Sequence, residues 1–224
     1  MIEIAIVLVI IGLLLGGVLK GQELINSAKV KNLANDFKNI PVYIYGYQDK
    51  FKALPGDDSN ATTHLANSSG VTPAICGATV ANKCNPGSGI IDGGWDSTFA
   101  TATTSPESYN FWQHIRLAGF GPGSTTLGAT DYLPTNAVGG NIGVTNAAQS
   151  PITGLSGTYI VCSNAIPGKF AKQLDTTLDD GNTQTGSVQV VPVNTPTGTP
   201  VAPLPTSGAG GIVDDTTYLV CMGS

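Results

Sequence analysis

Charge is what this chain has least of. Only 11% of its 224 residues are Asp, Glu, Lys or Arg, with a net charge of −5 and a pI near 4.7. Such a surface does not suit a phosphate backbone, which excludes nucleic acid as a partner of the bulk surface. Histidine is nearly missing too, with His64 and His114 the only two. With no Cys-x-x-Cys and no metal-spaced histidine pair, a zinc site is not expected. There is no Gly-x-Ser-x-Gly, no Walker loop, and no cysteine with a suitable histidine partner. The motifs of nucleophilic and phosphoryl-transfer catalysis are therefore absent, and neither enzyme activity nor a cofactor is expected. His114 sits among apolar residues and reads as structural.

What the chain has in quantity is a greasy beginning. From Ile4 to Leu19 there is no charge and almost no polarity, yet Glu3 stands at the outer tip. As a helix, that run is long enough to cross or nearly cross a hydrocarbon core. A secretory signal peptide would open with bases, keep its apolar core to about 7–15 residues and end in a small-residue cleavage site. A plain membrane anchor leaves Glu3 unexplained. It also leaves Gly12, Gly16 and Gly17 unexplained, each of which weakens a helix by up to about 1 kcal/mol. A buried core helix is not expected, because nothing later is apolar enough to wrap one. A carboxylate beside an apolar helix needs a cationic partner, and the natural partner is a cation from another chain.

The stretch Ile2-Glu3-Ile4-Ala5-Ile6-Val7-Leu8-Val9-Ile10-Ile11-Gly12, running on through Gly16-Gly17-Val18-Leu19-Lys20-Gly21-Gln22-Glu23-Leu24-Ile25, resembles the mature N-terminus of the type IV pilin and type II secretion pseudopilin superfamily. The likeness covers about the first fifty residues. It implies a precursor with a short basic leader, removal of that leader by a membrane peptidase, methylation of the new amine, and entry into a helical filament. In the family the acid lies further from the mature terminus and the first residue is usually Phe, so a start upstream of Met1 or a gap of a couple of residues is expected. The assembly residues implied are Glu3, the terminal amine of Met1, and Gly12, Gly16 and Gly17, with the Gly12–Gly17 segment partly unwound in the filament. Replacing Glu3 by Ala is expected to spare the head and block incorporation.

Beyond the greasy run, Val30, Leu33, Phe37, Ile40, Ile44, Tyr47 and Phe51 recur at intervals of three and four, with most charges off that stripe. The spacing predicts one helix over residues 1–53, apolar over 1–24 and amphipathic over 25–53, with a kink at Pro41 and a stop at Leu54-Pro-Gly-Asp-Asp58. The aromatics Phe37, Tyr43, Tyr45, Tyr47 and Phe51 are expected to pack on a head spanning 54–224. In that head, Ser105-Pro106 starts a short amphipathic helix closed by Gly119, with Phe111 and Trp112 in the core. Strands are expected at Thr158–Cys162, Ser187–Val191 and Thr217–Cys221, and a helix at Pro167–Leu178. Gly56–Ser105, Gly119–Pro151 and the proline-rich Pro192–Gly211 read as loops, the last one exposed and a possible carrier of O-linked sugar. The fold class is α+β, a long helix on a small antiparallel sheet with long loops.

Four cysteines allow three pairings. Proximity selects Cys76–Cys84, and the matched runs Thr-Tyr-Ile-Val-Cys162 and Thr-Tyr-Leu-Val-Cys221 select Cys162–Cys221 as neighbours in one sheet. On the loop-entropy model these contribute about 2.5 and about 4 kcal/mol, and both imply an oxidising compartment. The acids Asp175, Asp179 and Asp180 with Asn182, joined by Asp214 and Asp215, are the one set suited to calcium, although the spacing is not that of an EF-hand and Asp-Gly is also a turn signal. The main reading is no metal. Asn60 and Asn67 head sequons that read as chance occurrences in a Thr-rich chain.

Two later segments are similar, more loosely, to large-headed pilin-like proteins: Phe111-Trp-Gln-His-Ile115 with Leu117-Ala-Gly119, and Ile166–Phe170 running through Leu178–Asn182. The Cys162–Cys221 pair matches the C-terminal disulfide of pilins. The resemblance implies a major pilin of a type IV pilus, held in the inner membrane before the assembly machinery moves it into an extracellular homopolymer that serves adhesion or motility. The alternatives are a type II secretion pseudopilin and a minor tip adhesin.

Overall fold

In the computed structural model, residues 2–66, 70–77, 80–101, 103–195 and 197–224 are described, residues 2–6 and 9 by their backbone alone. Helix α1 (Ile2–Phe51) is a single 50-residue element. Most of its expected stripe is buried: Val30, Leu33, Phe37, Ile40, Ile44 and Tyr47 are in the core, joined by Ala34, while Phe51 is half-buried. Pro41 lies inside α1 without ending it. The buried Ile40 and Ile44 on either side hold the helix in place across the missing hydrogen bond. The end comes at Phe51, where Lys52 turns left-handed (φ 56°) and its N–H reaches the Gln48 carbonyl at 2.8 Å. Not all the aromatics face the head: Tyr45 is exposed and meets Tyr159 only edge-on.

The head is built on four antiparallel strands in the order β1-β2-β4-β3. They are β1 (Ile142–Thr145), β2 (Ile160–Pro167), β3 (Val188–Pro192) and β4 (Thr217–Gly223). Side chains alternate across a sheet, and here both faces are dry. Val161, Ile166, Val188, Val190, Tyr218 and Val220 join α1 in the main core. Ile160, Cys162, Val191, Leu219 and Cys221 turn to the opposite face, where Trp95, Ile152 and Leu155 from the long connections cover them. The matched strands are neighbours, and Cys162 stands directly opposite Cys221. Both expected disulfides are formed, Cys76–Cys84 with a Cα–Cα distance of 5.8 Å and Cys162–Cys221 with 4.1 Å.

Several sequence expectations need correction. Gly119–Pro151 is not loop throughout: it contributes β1 and a 3₁₀ turn at Ala147–Gln149. Gly143 sits mid-strand because a Cβ there would strike the Trp95 backbone. β2 starts later than expected and runs further, through a bulge between Ser163 and Ile166 with Ala165 at φ 56°. Gly56–Ser105 contains the one-turn helix α2 (Ala61–His64). The next helix, α3 (Glu107–Leu117), begins after Pro106, and Ser105 does not cap it. The Ser105 hydroxyl donates instead to the Thr101 carbonyl at 2.6 Å. The other end of α3 is as expected: Gly119 (φ 83°) lets the Phe120 N–H reach the Ile115 carbonyl at 2.9 Å, a left-handed helix stop. Helix α4 (Gly168–Leu178) follows β2 directly. The proline-rich loop is exposed in part but is tied down, with Val201 bridging to Ile152 and the Leu204 N–H bonding the Val190 carbonyl at 2.8 Å.

The Cys162–Cys221 bond holds the two central strands together over a separation of 59 residues, so its loss releases the last strand. Reduction, or the double change Cys162→Ser with Cys221→Ser, is expected to remove about 4 kcal/mol, read as a lower urea midpoint. A midpoint indifferent to reductant would contradict this.

Candidate functional site

The first half of α1 makes no core of its own. Among the described residues, burial along the helix begins at Val30. Before it, Val7, Leu8, Ile10, Ile11, Leu13, Leu14, Leu15, Val18 and Leu19 are 46–73% exposed, on every side of the helix. Gly12, Gly16 and Gly17 lie in regular helix, and a Cβ on any of them would meet nothing within 4 Å. The chain's own packing does not ask for these glycines. Met1 and the side chain of Glu3 lie outside the described residues. No helix among the described residues is long and apolar enough to cross a membrane. The uncharged run Ile4–Leu19 covers about 24 Å as a helix, short of a hydrocarbon core of about 30 Å.

The acid set assembles in part. Asp175, Asp179 and Asp180, at the C-terminal end of α4, bring one carboxylate oxygen each to within 4.8 Å of the others. Asp175 is completely buried and neither of its carboxylate oxygens has a hydrogen-bond partner. Burial pushes its carboxyl up to about 7, with Asp180 and Asp179 adding repulsion, and the Gly181 N–H offsets part of this without reaching full hydrogen-bond geometry. Asp179 Oδ2 accepts from the Val188 N–H at 2.9 Å, and Asp180 accepts from the Asn182 N–H at 2.8 Å and the Thr185 hydroxyl at 2.9 Å. Asn182 thus meets the cluster through its backbone, while its side-chain oxygen accepts from the Gln184 N–H. Asp214 lies elsewhere, paired with Lys172 at 2.9 Å, and neither it nor Asp215 belongs to the cluster. Asn60 is exposed just ahead of α2, and Asn67 lies outside the described residues.

A second set of buried polar groups went unread in the sequence. Leu54–Asp58 is a hub as well as a helix stop. Asp57 accepts from the N–H groups of Gly87, Ser88 and Gly89 at 2.7, 3.0 and 2.7 Å. Asp58 Oδ2 accepts from the Tyr47 hydroxyl and from His64 Nδ1, both at 2.7 Å. His114 is fully buried, its Nδ1 accepting from the Gly56 N–H at 3.0 Å and its Nε2 donating to the Ala74 carbonyl at 2.8 Å. Burial holds its pKa below the ordinary range, so the neutral ring is a structural splice. Gly56 (φ 92°) passes so close to the Glu107 carbonyl that no side chain fits. Glu107 itself is buried and accepts from the N–H groups of Asn85 and Asp92. The groups of this hub are occupied by one another. A cleft of about 470 Å³ beside it exposes an edge of His64, and among the described residues no nucleophile is hydrogen-bonded to the ring.

Burial pushes the Glu107 carboxyl up to about 8, the Asn85 and Asp92 N–H groups offsetting part of that and the carboxylates of Asp57 and Asp92 adding to it. Its ordinary value is 4.5, so across that interval the folded chain holds a proton that the unfolded chain has released. Stability therefore falls as pH rises through it. His114 acts in the opposite sense, because the unfolded ring takes up a proton below its ordinary 6.5. From pH 6.5 to 8 the acids dominate, and the urea midpoint is expected to fall. Glu107→Gln is expected to remove the greater part of that slope, leaving a residue from Asp175. An undiminished slope in the variant would contradict the assignment.

No family model, curated protein or solved structure matches this chain.

Proposed function

We propose that the chain is the structural subunit of a type IV pilus-like filament, with a pilin-like fold, whose activity is self-assembly through the first half of α1. One observation carries this reading: among the described side chains, nine large apolar residues from Val7 to Leu19 are exposed all round the helix, ahead of a head with a buried core of its own. Apolar surface of that extent needs a dry partner, and the head offers none. Lipid satisfies the side chains before assembly, and a bundle of identical helices satisfies them afterwards. In a bundle, small residues let backbones approach, which gives Gly12, Gly16 and Gly17 a use that this chain alone does not supply. Glu3 then meets the terminal amine of a neighbour, where either charge alone would be costly and the pair sets the axial register. The two disulfides agree with assembly outside the reducing cytosol.

The test is the protein composition of surface filaments sheared from the producing cell. As a major subunit the chain dominates the preparation; as a tip adhesin or secretion pseudopilin it is nearly absent from it. Its absence from abundant surface filaments would overturn the major-subunit reading.

A further inference from the structure

The second half of α1 has two flanks outside its buried stripe, and they differ in charge. Asp36, Asn39 and Tyr43 follow one another at intervals of three and four on one flank. Beside them lies a cavity of about 190 Å³, lined by Asp36 and walled by Ile40, Tyr43, Trp112, Ile115 and Ile142. Asp36 is half-buried, and among the described residues its carboxylate takes part in no ion pair. Burial pushes its carboxyl up to about 6, with no hydrogen bond or opposite charge to offset the shift. Arg116, whose guanidinium lies over Trp112, donates instead to the carbonyls of Pro122, Ser124 and Tyr132. A carboxylate held beside an apolar cavity is costly unless a cation pairs with it. The other flank is the complement. Lys31, Lys38, Val42 and Tyr45 recur at intervals of seven, four and three, one stripe roughly 150° around the helix from Asp36. All four are exposed, Val42 at 63% and Tyr45 at 59%. Among the described residues no acid is in ion-pair contact with either lysine; Asp49, one turn beyond Tyr45, is engaged by Lys52.

We propose that Lys38 of one copy enters the Asp36 cavity of the next, so that the two flanks of α1 form a head-to-tail contact between copies of this chain. This rests on the self-assembly reading and adds to it a contact in the second half of α1, outside the apolar run. The cavity is smaller than the roughly 300–1,000 Å³ of small-molecule sites and suits one long side chain. Its apolar walls take the methylene stem of a lysine, and Asp36 meets the ammonium at the end of that stem. Val42 and Tyr45 stand four and seven residues beyond Lys38 on the same stripe, so the contact that seats the lysine also covers their exposed apolar surface. Lys31 lacks those neighbours and lines a groove against α4 with Lys172 instead. Because the two patches are different, each copy still offers one of them after the contact has formed. The contact therefore repeats from copy to copy and does not close into a two-fold dimer.

The experiment measures the amount of this chain in filaments sheared from cells that produce charge variants, alongside urea unfolding of each full chain in detergent. Asp36→Lys and Lys38→Asp are each expected to cut filament yield at least about tenfold, because either change leaves a charge without its partner in the contact. The double variant carrying both changes is expected to recover most of that yield, since the pair is re-formed with its signs exchanged. Asp36→Asn is expected to lower the yield while its urea midpoint stays no lower than the parent's, because a lone copy gives this carboxylate no partner. A midpoint that falls instead would assign Asp36 to its own head and overturn the contact. Lys38→Asp is a surface change and serves if the Asp36→Lys variant fails to fold. Normal yield from Lys38→Asp, or two depleted single variants with no recovery in the double one, would overturn the contact and leave self-assembly through the first half of α1 in place. Wild-type chain missing from the filaments altogether would overturn both.

Discussion

Leu14→Lys is expected to leave the unfolding of the head unchanged and to remove the chain from filaments altogether. Leu14 is 63% exposed and belongs to none of the core clusters. A surface change of that kind shifts stability by no more than about 0.5 kcal/mol. In a dry bundle the same ammonium costs about 2.5–3.5 kcal/mol at mid-depth, and the penalty recurs in every copy, so growth fails rather than slows. Electron microscopy and urea unfolding on one preparation read both halves of the expectation. Glu3→Ala is expected to show the same split, through loss of the charge proposed to set the register. Filaments at normal yield from the Leu14 variant would show that this surface faces solvent or a different partner.

Phe37→Ala should do the reverse, unfolding the head while leaving the apolar half untouched. Phe37 is 1% exposed and lies in the main core that α1 shares with residues of the sheet. Truncating a buried Phe to Ala costs about 3–5 kcal/mol, a large part of a typical domain stability of about 5–15 kcal/mol. The measurement is the urea midpoint of a chain starting at residue 25, which keeps every buried position of α1. A midpoint within about 0.5 kcal/mol of the parent would mean that the second half of α1 is not part of the head's core.

The parts of this molecule that were legible in the sequence are those written in local spacing. The α1 stripe is visible because a helix repeats every three to four residues, and the strand neighbours because two five-residue runs match almost letter for letter. What was hidden is written at long range. Asp57 serves the turn at residues 87–89, and His114 joins Gly56 to Ala74, so no local window shows either residue's role. β1 was missed because four residues with a central glycine carry little strand signal, although Ile142, Val144 and Thr145 are the β-branched residues that a buried strand prefers. Asp175 was visible as an acid but not as a buried one. The clue was available: it stands four residues after Ala171 and next to Leu174, on the apolar face of α4.

A cryo-EM reconstruction of the filaments sheared from producing cells tests the central claim most directly. The account predicts residues 1–24 of every copy bundled at the filament axis, Gly12, Gly16 and Gly17 against neighbouring helices, Glu3 beside an adjacent terminal amine, and the disulfide-bonded heads outside. A filament core built from any other polypeptide, or one with this helix exposed on the outer surface, would contradict it.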